Sequence, residues 1–171
     1  MGYRGSGKTS VGKKIAAATW KDFVDLDAEI VKRFDGRSIA DIWATDGEAA
    51  FRQTETDALR DLLGRDNLVL ALGGGAVVAE ENQAMIRDAS DAKRIYLACK
   101  PAILAERLGA DPHTAASRPS LTGQAAATGL DEITTVLAQR DPIYRDLADA
   151  VFDVSYVDIP QAAAYLQRHH L

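Results

Sequence analysis

The chain has 171 residues, of which 47% are hydrophobic, and this length suits one domain with a sizeable core but is short for two. Its formal charge of −5 at pH 7 excludes a broad nucleic-acid or anionic-membrane surface, so any basic groups that bind phosphate must be placed locally. The single cysteine, Cys99, excludes an internal disulfide, and no apolar run approaches the ~20 residues that cross a bilayer.

Apolar runs alternate with helical patterns along the chain. Helices are predicted at Lys8–Ala18, Ala28–Phe34, a short segment after Ser38, Gly47–Leu63, Glu80–Ala89, Pro101–Leu108, Leu130–Arg140 and Pro160–His169. Strands are predicted at Phe23–Leu26, Leu68–Leu72, Arg94–Leu97 and Val151–Val154. Because strands that alternate with helices form a parallel sheet covered on both faces, we expect a single three-layer α/β/α domain over residues 1–171.

The strongest motif lies at the start of the chain. The segment Gly2–Thr9 fits the pattern G-x-x-x-x-G-K-[ST] of a P-loop and leads directly into a predicted helix. Glycines let successive backbone N–H groups surround phosphate oxygens, and the helix N-terminus adds its positive dipole. We expect Lys8 to reach the β- and γ-phosphates of ATP and Thr9 to bind Mg²⁺, with further nucleotide contacts from Gly5, Ser6, Gly7 and Ser10. The alternative is a glycine-rich helix entry with a chance lysine.

A strand normally leads into a P-loop, but here the motif begins at residue 2. That strand is usually internal to the sheet, so its absence would leave a gap and unpaired backbone groups. We expect either a chain start that is set too late, which is favoured because the later motifs are intact, or a truncated protein.

Two carboxylates follow the first predicted strand. Asp25 and Asp27 are two residues apart near its carboxyl end, where open α/β sheets bind ligands. One could face a metal and the other an acceptor hydroxyl, or Asp27 could simply cap the next helix.

Residues 109–129 have no regular periodicity. A structureless connection of this length is uncommon in a compact domain and is typical of an active-site lid. We therefore predict a mobile lid at about 109–129.

Several further motifs follow in a specific order. They are Asp25–Asp27, Gly36–Ile42, Asp46–Glu48, Phe51–Glu55, Leu72–Val77, Arg118–Pro119 and Arg140–Tyr144. In order and spacing this series resembles the shikimate kinase family over nearly the whole chain. The resemblance implies a P-loop kinase that transfers the γ-phosphate of ATP to the 3-hydroxyl of shikimate, a step towards chorismate and the aromatic amino acids.

The resemblance also implies roles in acceptor binding. Asp27 would bind the ring hydroxyls and assist deprotonation of the attacking one. Arg52 and Arg140 would hold the carboxylate, since a planar guanidinium makes paired hydrogen bonds to a carboxylate. Gly74 would donate its backbone N–H, with Gly73 and Gly75 beside it.

On the nucleotide side, the resemblance implies that Arg118 closes over the phosphates as a catalytic residue with Lys8 and Asp27. Arg107 would lie near the adenine, and Asp25 would contact Mg²⁺ through water. We expect shikimate and ATP as small-molecule substrates, with no nucleic-acid or membrane partner, for a cytoplasmic monomer.

Each residue also has a simpler interpretation. Arg52 could be a surface charge paired with Glu48 and Glu55, and Arg140 could complement the dipole at a helix end. Arg118 could be a solvated charge, and the three glycines could be a plain turn or could open a helix as backbone donors. Alternative functions are phosphorylation of another small metabolite, such as a gluconate-type sugar acid or a nucleoside monophosphate, and ligand binding without catalysis.

Overall fold

A computed structural model describes residues 1–110 and 129–170. In chain order the elements are α1 (Lys8–Thr19), β1 (Asp22–Asp25), α2 (Leu26–Arg33), α3 (Ile39–Thr45), α4 (Gly47–Leu63), β2 (Leu68–Ala71), α5 (Glu80–Asp88), β3 (Ile95–Ala98), α6 (Pro101–Gly109), α7 (Leu130–Leu147), β4 (Ala150–Asp153) and α8 (Ile159–His170). The predicted helices and strands are confirmed in type, with boundaries that shift at several ends. Most of the predicted lid, with Arg118, lies outside the described residues.

The strands form two parallel pairs. In the first pair Asp22 lies opposite Leu68, and in the second Ile95 lies opposite Ala150. Within the described residues no ladder joins β2 to β3, so the hydrogen bonding is divided between the two pairs. The backbone of Met1 lies beside β3, where it donates to Ile95 O at 2.7 Å and accepts from the Leu97 N–H at 3.0 Å. The predicted parallel pairing is confirmed within each pair.

Helices pack against both strand pairs and bury the core. Helix α1 contacts β1, β2 and α8, whereas α7 contacts β3 and α6, and α2 packs on α4. The largest fully buried apolar and aromatic side chains come from most of these elements: Tyr3, Leu26, Ile30, Ile42, Leu59, Tyr96, Leu104, Ile133, Tyr144, Leu147 and Leu166. Across residues 1–110 and 129–170, no helix has both the length and the apolar character that a membrane span requires.

Helix α7 is longer than the sequence predicts. It continues through Pro142 to Leu147, so the predicted end at Arg140 is wrong, and so is the interpretation of Arg140 as a charge at a helix end. A proline removes one helical hydrogen bond. Burial of Tyr144 and Leu147, which continue the apolar face of the helix, compensates for that loss. This extension carries Arg140 and Tyr144 on one rigid helix.

Candidate active site

The phosphate-binding loop has the backbone that its glycines allow. Gly5 and Gly7 have φ values of +82° and +87°, in the left-handed region that other residues rarely adopt, and Gly7 directly precedes α1. The Lys8 ammonium donates to the Tyr3 carbonyl at 2.9 Å, within the same loop. The loop therefore places a lysine and a helix N-terminus at one point.

Thr9 and Asp25 come together beside this loop. The Thr9 hydroxyl donates to Asp25 Oδ2 at 2.7 Å, and Asp25 Oδ1 accepts the N–H groups of Asp27 at 3.1 Å and Ala28 at 3.4 Å. Asp25 is thus the N-cap of α2, and the interpretation of Asp27 as the cap is wrong. The cap falls on Asp25 because β1 ends there and Leu26 already begins the helix. Hydroxyl and carboxylate oxygens are the ligand atoms that Mg²⁺ prefers.

A pocket opens on the other side of Asp27. Its charged lining groups are three arginines and two carboxylates, so the net formal charge of the lining is positive although the whole protein is acidic. Apolar groups from α3 and α4, together with the glycine segment, complete the wall. The lining residues are Arg4, Asp27, Ile39, Trp43, Phe51, Arg52, Glu55, Gly74, Gly75 and Arg140.

Arg52 is held in this pocket by an ion pair along α4. Its Nη1 lies 2.8 Å from Glu55 Oε2, and its Nε lies 3.4 Å from Glu48 Oε1. The predicted pairing of Arg52 with both carboxylates is present. Arg52 nevertheless lies in the wall of the pocket and not on an open surface, and the side chain of its partner Glu55 is only 2% exposed. Burial raises the pKa of Glu55, whereas Arg52 acts in the opposite direction. The aromatic rings of Trp43 and Phe51 lie 5.7 and 5.4 Å from the Arg52 guanidinium, so its orientation is restricted on several sides.

The glycine segment after β2 is required for space. A Cβ on Gly73 would lie 2.4 Å from Asp27 Oδ1, and one on Gly75 would lie 2.9 Å from Arg52 Nη1. At Gly74 a Cβ would lie 3.4 Å from a backbone nitrogen of the phosphate-binding loop. None of the three has a left-handed φ. Close approach of site residues on all sides therefore explains the glycines.

Helix α7 contributes the remaining contact to this segment. Arg140 Nη1 donates to Gly74 O at 3.1 Å, and Tyr144 Oη donates to the same oxygen at 2.5 Å. The idea that the glycines open a helix is wrong, because α5 begins only at Glu80. Tyr144 is both buried and hydrogen-bonded to the backbone of the site.

Arg107 lies apart from this pocket. It is on α6 and donates to Val154 O at 2.8 Å, just after β4, and to Cys99 Sγ at 3.7 Å. It therefore lies near the carboxyl ends of β3 and β4 and is not among the residues that line the pocket beside Asp27.

Known proteins resemble this chain over almost its whole length. A sequence model of the family described as shikimate kinase matches residues 4–169. A shikimate kinase from Syntrophus aciditrophicus is 40% identical over 162 residues, which cover 92% of this chain and 82% of that protein. One from Nitratidesulfovibrio vulgaris is 41% identical over 148 residues, which cover 86% and 81%. The chain belongs to the shikimate kinase family.

Solved structures of shikimate kinases have the same fold. The enzyme from Acinetobacter baumannii in complex with shikimate matches with a TM-score of 0.82 at 30% identity, covering 98% of this chain and 86% of that one. The enzyme from Bacteroides thetaiotaomicron matches with a TM-score of 0.82 at 31% identity, covering 98% and 92%. The predicted P-loop α/β kinase fold is thereby confirmed, and members of this shikimate kinase family are ATP-using enzymes.

Several residues of the pocket were missed by sequence reasoning. Arg4 occupies a variable position of the P-loop pattern, which specifies only glycines, a lysine and a hydroxyl residue. Glu55 was treated only as a partner of Arg52, although its place one helical turn after Arg52 gives it the same face. Trp43 packs on Phe51 with ring centroids 5.9 Å apart and also lines the pocket. The apolar wall carried no sequence signal beyond ordinary core periodicity.

Proposed function

We propose that this chain is a shikimate kinase that transfers the γ-phosphate of ATP to the 3-hydroxyl of shikimate, giving 3-phosphoshikimate and ADP. One observation carries the proposal beyond family membership. The pocket with three arginines and two carboxylates directly adjoins the phosphate-binding loop, because Arg4 of the loop lines the pocket and a Cβ on Gly74 would lie 3.4 Å from the Arg4 backbone nitrogen. Such a pocket suits a small hydroxylated acid with one carboxylate.

Two arginines bind the carboxylate of the acceptor. Arg52 comes from α4 and Arg140 from α7, and both line the pocket. Guanidinium groups from two helices fix both the position and the rotation of a bound carboxylate. Gly73–Gly75 form the adjacent backbone wall, from which the Gly74 N–H donates to the acceptor.

Asp27 acts at the point of transfer. It lines the acceptor pocket and also a neighbouring groove that contains Thr9 and Asp25. Its carboxylate orients the acceptor hydroxyl and takes its proton as the oxygen attacks the γ-phosphorus. One phosphorus–oxygen bond forms while the bond from phosphorus to the β,γ-bridging oxygen breaks, so ADP leaves with that electron pair. No covalent enzyme intermediate is required.

The nucleotide side supplies alignment and positive charge. Lys8 exchanges its contact with Tyr3 O for the β- and γ-phosphates, and Gly5, Ser6, Gly7, Thr9 and Ser10 surround the triphosphate through the loop and helix start. Thr9 directly, and Asp25 through water, would hold Mg²⁺, which neutralises charge on the phosphates. Within the described residues no group of three His, Cys, Asp or Glu side chains is placed to hold a metal ion. Arg107 contacts the adenine and Arg118 the transferred phosphate.

We further propose that the protein is a cytoplasmic monomer that works as one domain with a lid at about 109–129. Closure of the lid would exclude water and so limit wasteful hydrolysis of ATP.

The test is ADP release with Mg-ATP and a panel of shikimate, quinate, gluconate and nucleoside monophosphates. Asp27→Asn is compared with Asp66→Asn, the same chemical change on an exposed turn after α4. We expect turnover with shikimate, which Asp27→Asn abolishes and Asp66→Asn leaves unchanged. Preference for gluconate or a nucleotide would replace the acceptor, and ATP binding by a folded protein without any turnover would favour a non-catalytic binding domain.

A further inference from the structure

Two side chains of α7 share one carbonyl oxygen of the glycine segment. Tyr144 Oη donates to Gly74 O at 2.5 Å and Arg140 Nη1 donates to it at 3.1 Å. Residues four apart on a helix lie on one face, so both reach the same point. A carbonyl oxygen has two lone pairs, and these two donors use both.

Packing alone does not explain the Tyr144 hydroxyl. The residue is fully buried, and its ring stacks on Tyr96 of β3 with centroids 4.9 Å apart. A phenylalanine would fill nearly the same space, whereas a buried hydroxyl is costly unless it is hydrogen-bonded. Burial raises the pKa of Tyr144, so the phenol remains a neutral donor at physiological pH. The stack and the hydrogen bond together fix where the Gly74 carbonyl lies.

Arg52 lies near the other end of the same peptide bond. A Cβ built on Gly75 would come within 2.9 Å of Arg52 Nη1, so the glycine leaves room for that guanidinium. The peptide bond from Gly74 to Gly75 is planar and stiff. It therefore lies as a stiff link between Arg140, bonded to the Gly74 carbonyl, and Arg52, which is next to Gly75.

We propose that Tyr144 is a positioning residue that sets the separation of Arg52 and Arg140 by holding the peptide between Gly74 and Gly75. The proposal rests on the proposed function, in which these two arginines grip the acceptor carboxylate. Tyr144 acts through Gly74 and does not touch the acceptor. Without its hydroxyl, the Gly74 carbonyl keeps one donor and the peptide can tilt, so the two guanidinium groups lose their matched spacing.

The test compares Tyr144→Phe with Tyr96→Phe. Each change removes one phenolic oxygen and keeps the stacked rings, but the Tyr96 hydroxyl donates at 2.7 Å to Asp141, away from the glycine segment. We expect Tyr144→Phe to raise KM for shikimate about five- to tenfold, the effect of one lost buried hydrogen bond, with KM for ATP and kcat within about twofold. Tyr96→Phe should change KM for shikimate by less than about twofold, because the hydrogen bond that it removes goes to Asp141 and the Gly74 carbonyl keeps both of its donors.

A second measurement needs no substrate. The ¹⁵N-edited NMR spectrum reports the Gly75 amide, whose nitrogen shares a peptide group with the Gly74 carbonyl. Its resonance should move in Tyr144→Phe and stay in place in Tyr96→Phe. If the unaltered protein does not turn over shikimate, the proposed function fails while this comparison still decides the inference. An equal Gly75 shift in both variants, or an unchanged KM for shikimate in an active Tyr144→Phe, would overturn it.

Discussion

Replacement of Gly73 by alanine tests whether this position must be glycine to leave space for the Asp27 carboxylate. The new Cβ would lie 2.4 Å from Asp27 Oδ1 and 3.3 Å from Glu55 Oε1, whereas real Cβ contacts stay above 3.0 Å. The carboxylate of Asp27 must therefore move by about 0.6 to 1 Å to reach an ordinary contact distance. The backbone of Gly73 has no left-handed φ, so alanine causes no conformational strain there.

The expected loss is large in activity and small in stability. A displacement of about 1 Å in a reacting group can cost on the order of 100-fold in rate, or about 2.7 kcal/mol of transition-state stabilisation. The groups that must move are the ends of side chains, so the fold can accommodate the methyl group. We expect kcat/KM for shikimate to fall about 100-fold, while KM for ATP and the melting temperature change little.

The assay is steady-state ADP release at saturating Mg-ATP, combined with thermal unfolding of the same samples. Gly64→Ala is the matched control, since its Cβ would meet nothing closer than 3.7 Å, at the carbonyl of Asp61. A folded Gly73→Ala protein with activity within about threefold of the unaltered one would refute the steric argument, because a displacement of the expected size costs far more. So would an activity loss of the same size in Gly64→Ala.

Two further predictions concern other ion pairs. Arg52→Lys keeps the charge but loses the planar guanidinium, which bonds Glu55 through Nη1 and Glu48 through Nε, so KM for shikimate should rise about tenfold or more. The surface change Arg33→Lys should leave that KM unaltered. Equal KM values in the two variants would contradict the role of Arg52. The Arg94 guanidinium lowers the pKa of Asp149 to about 2, and the pair should contribute about 1 kcal/mol after screening. A carboxyl whose folded pKa is lowered stabilises the fold above its unfolded value near 3.8 and loses that effect as pH falls towards 2. Urea unfolding should therefore show Asp149→Asn to be less stable at pH 7 by that amount, with a smaller difference at pH 3; a difference independent of pH would argue against the pair.

The sequence predicted the elements well because the periodic signal is local. Each strand is a short apolar run, and helices such as Gly47–Leu63 agree to the residue. The end of α7 was predicted wrongly because a proline is a strong local stop signal, while the burial of Tyr144 that overrides it depends on β3 and the glycine segment, both far away in sequence. Tertiary packing decides such boundaries.

For the candidate site, too, the sequence predicted the local features and not those that depend on tertiary contacts. Motif order gave the arginines, the glycines and the carboxylates, but the contacts among them could not be predicted from spacing. Asp25 rather than Asp27 caps α2, because the strand ends one residue earlier than predicted. The inward direction of Arg4 depends on the path of a loop whose pattern constrains only its neighbours. Glu55 looked like a surface partner because nothing in α4 alone shows which face is covered.

The crowded glycine segment limits how this pocket could acquire a different acceptor through mutation. A side chain at Gly73 would clash with Asp27, and one at Gly75 would clash with Arg52. Single changes at these positions therefore displace residues that bind the acceptor and do not reshape the cavity. Ile39, Trp43 and Phe51 form their part of the wall with side chains, so substitutions there change the shape of the cavity, and those at Trp43 and Phe51 also change the surroundings of Arg52. Natural drift or directed evolution towards a larger or smaller acid would therefore proceed through α3 and the start of α4, with the polar side of the cavity kept intact.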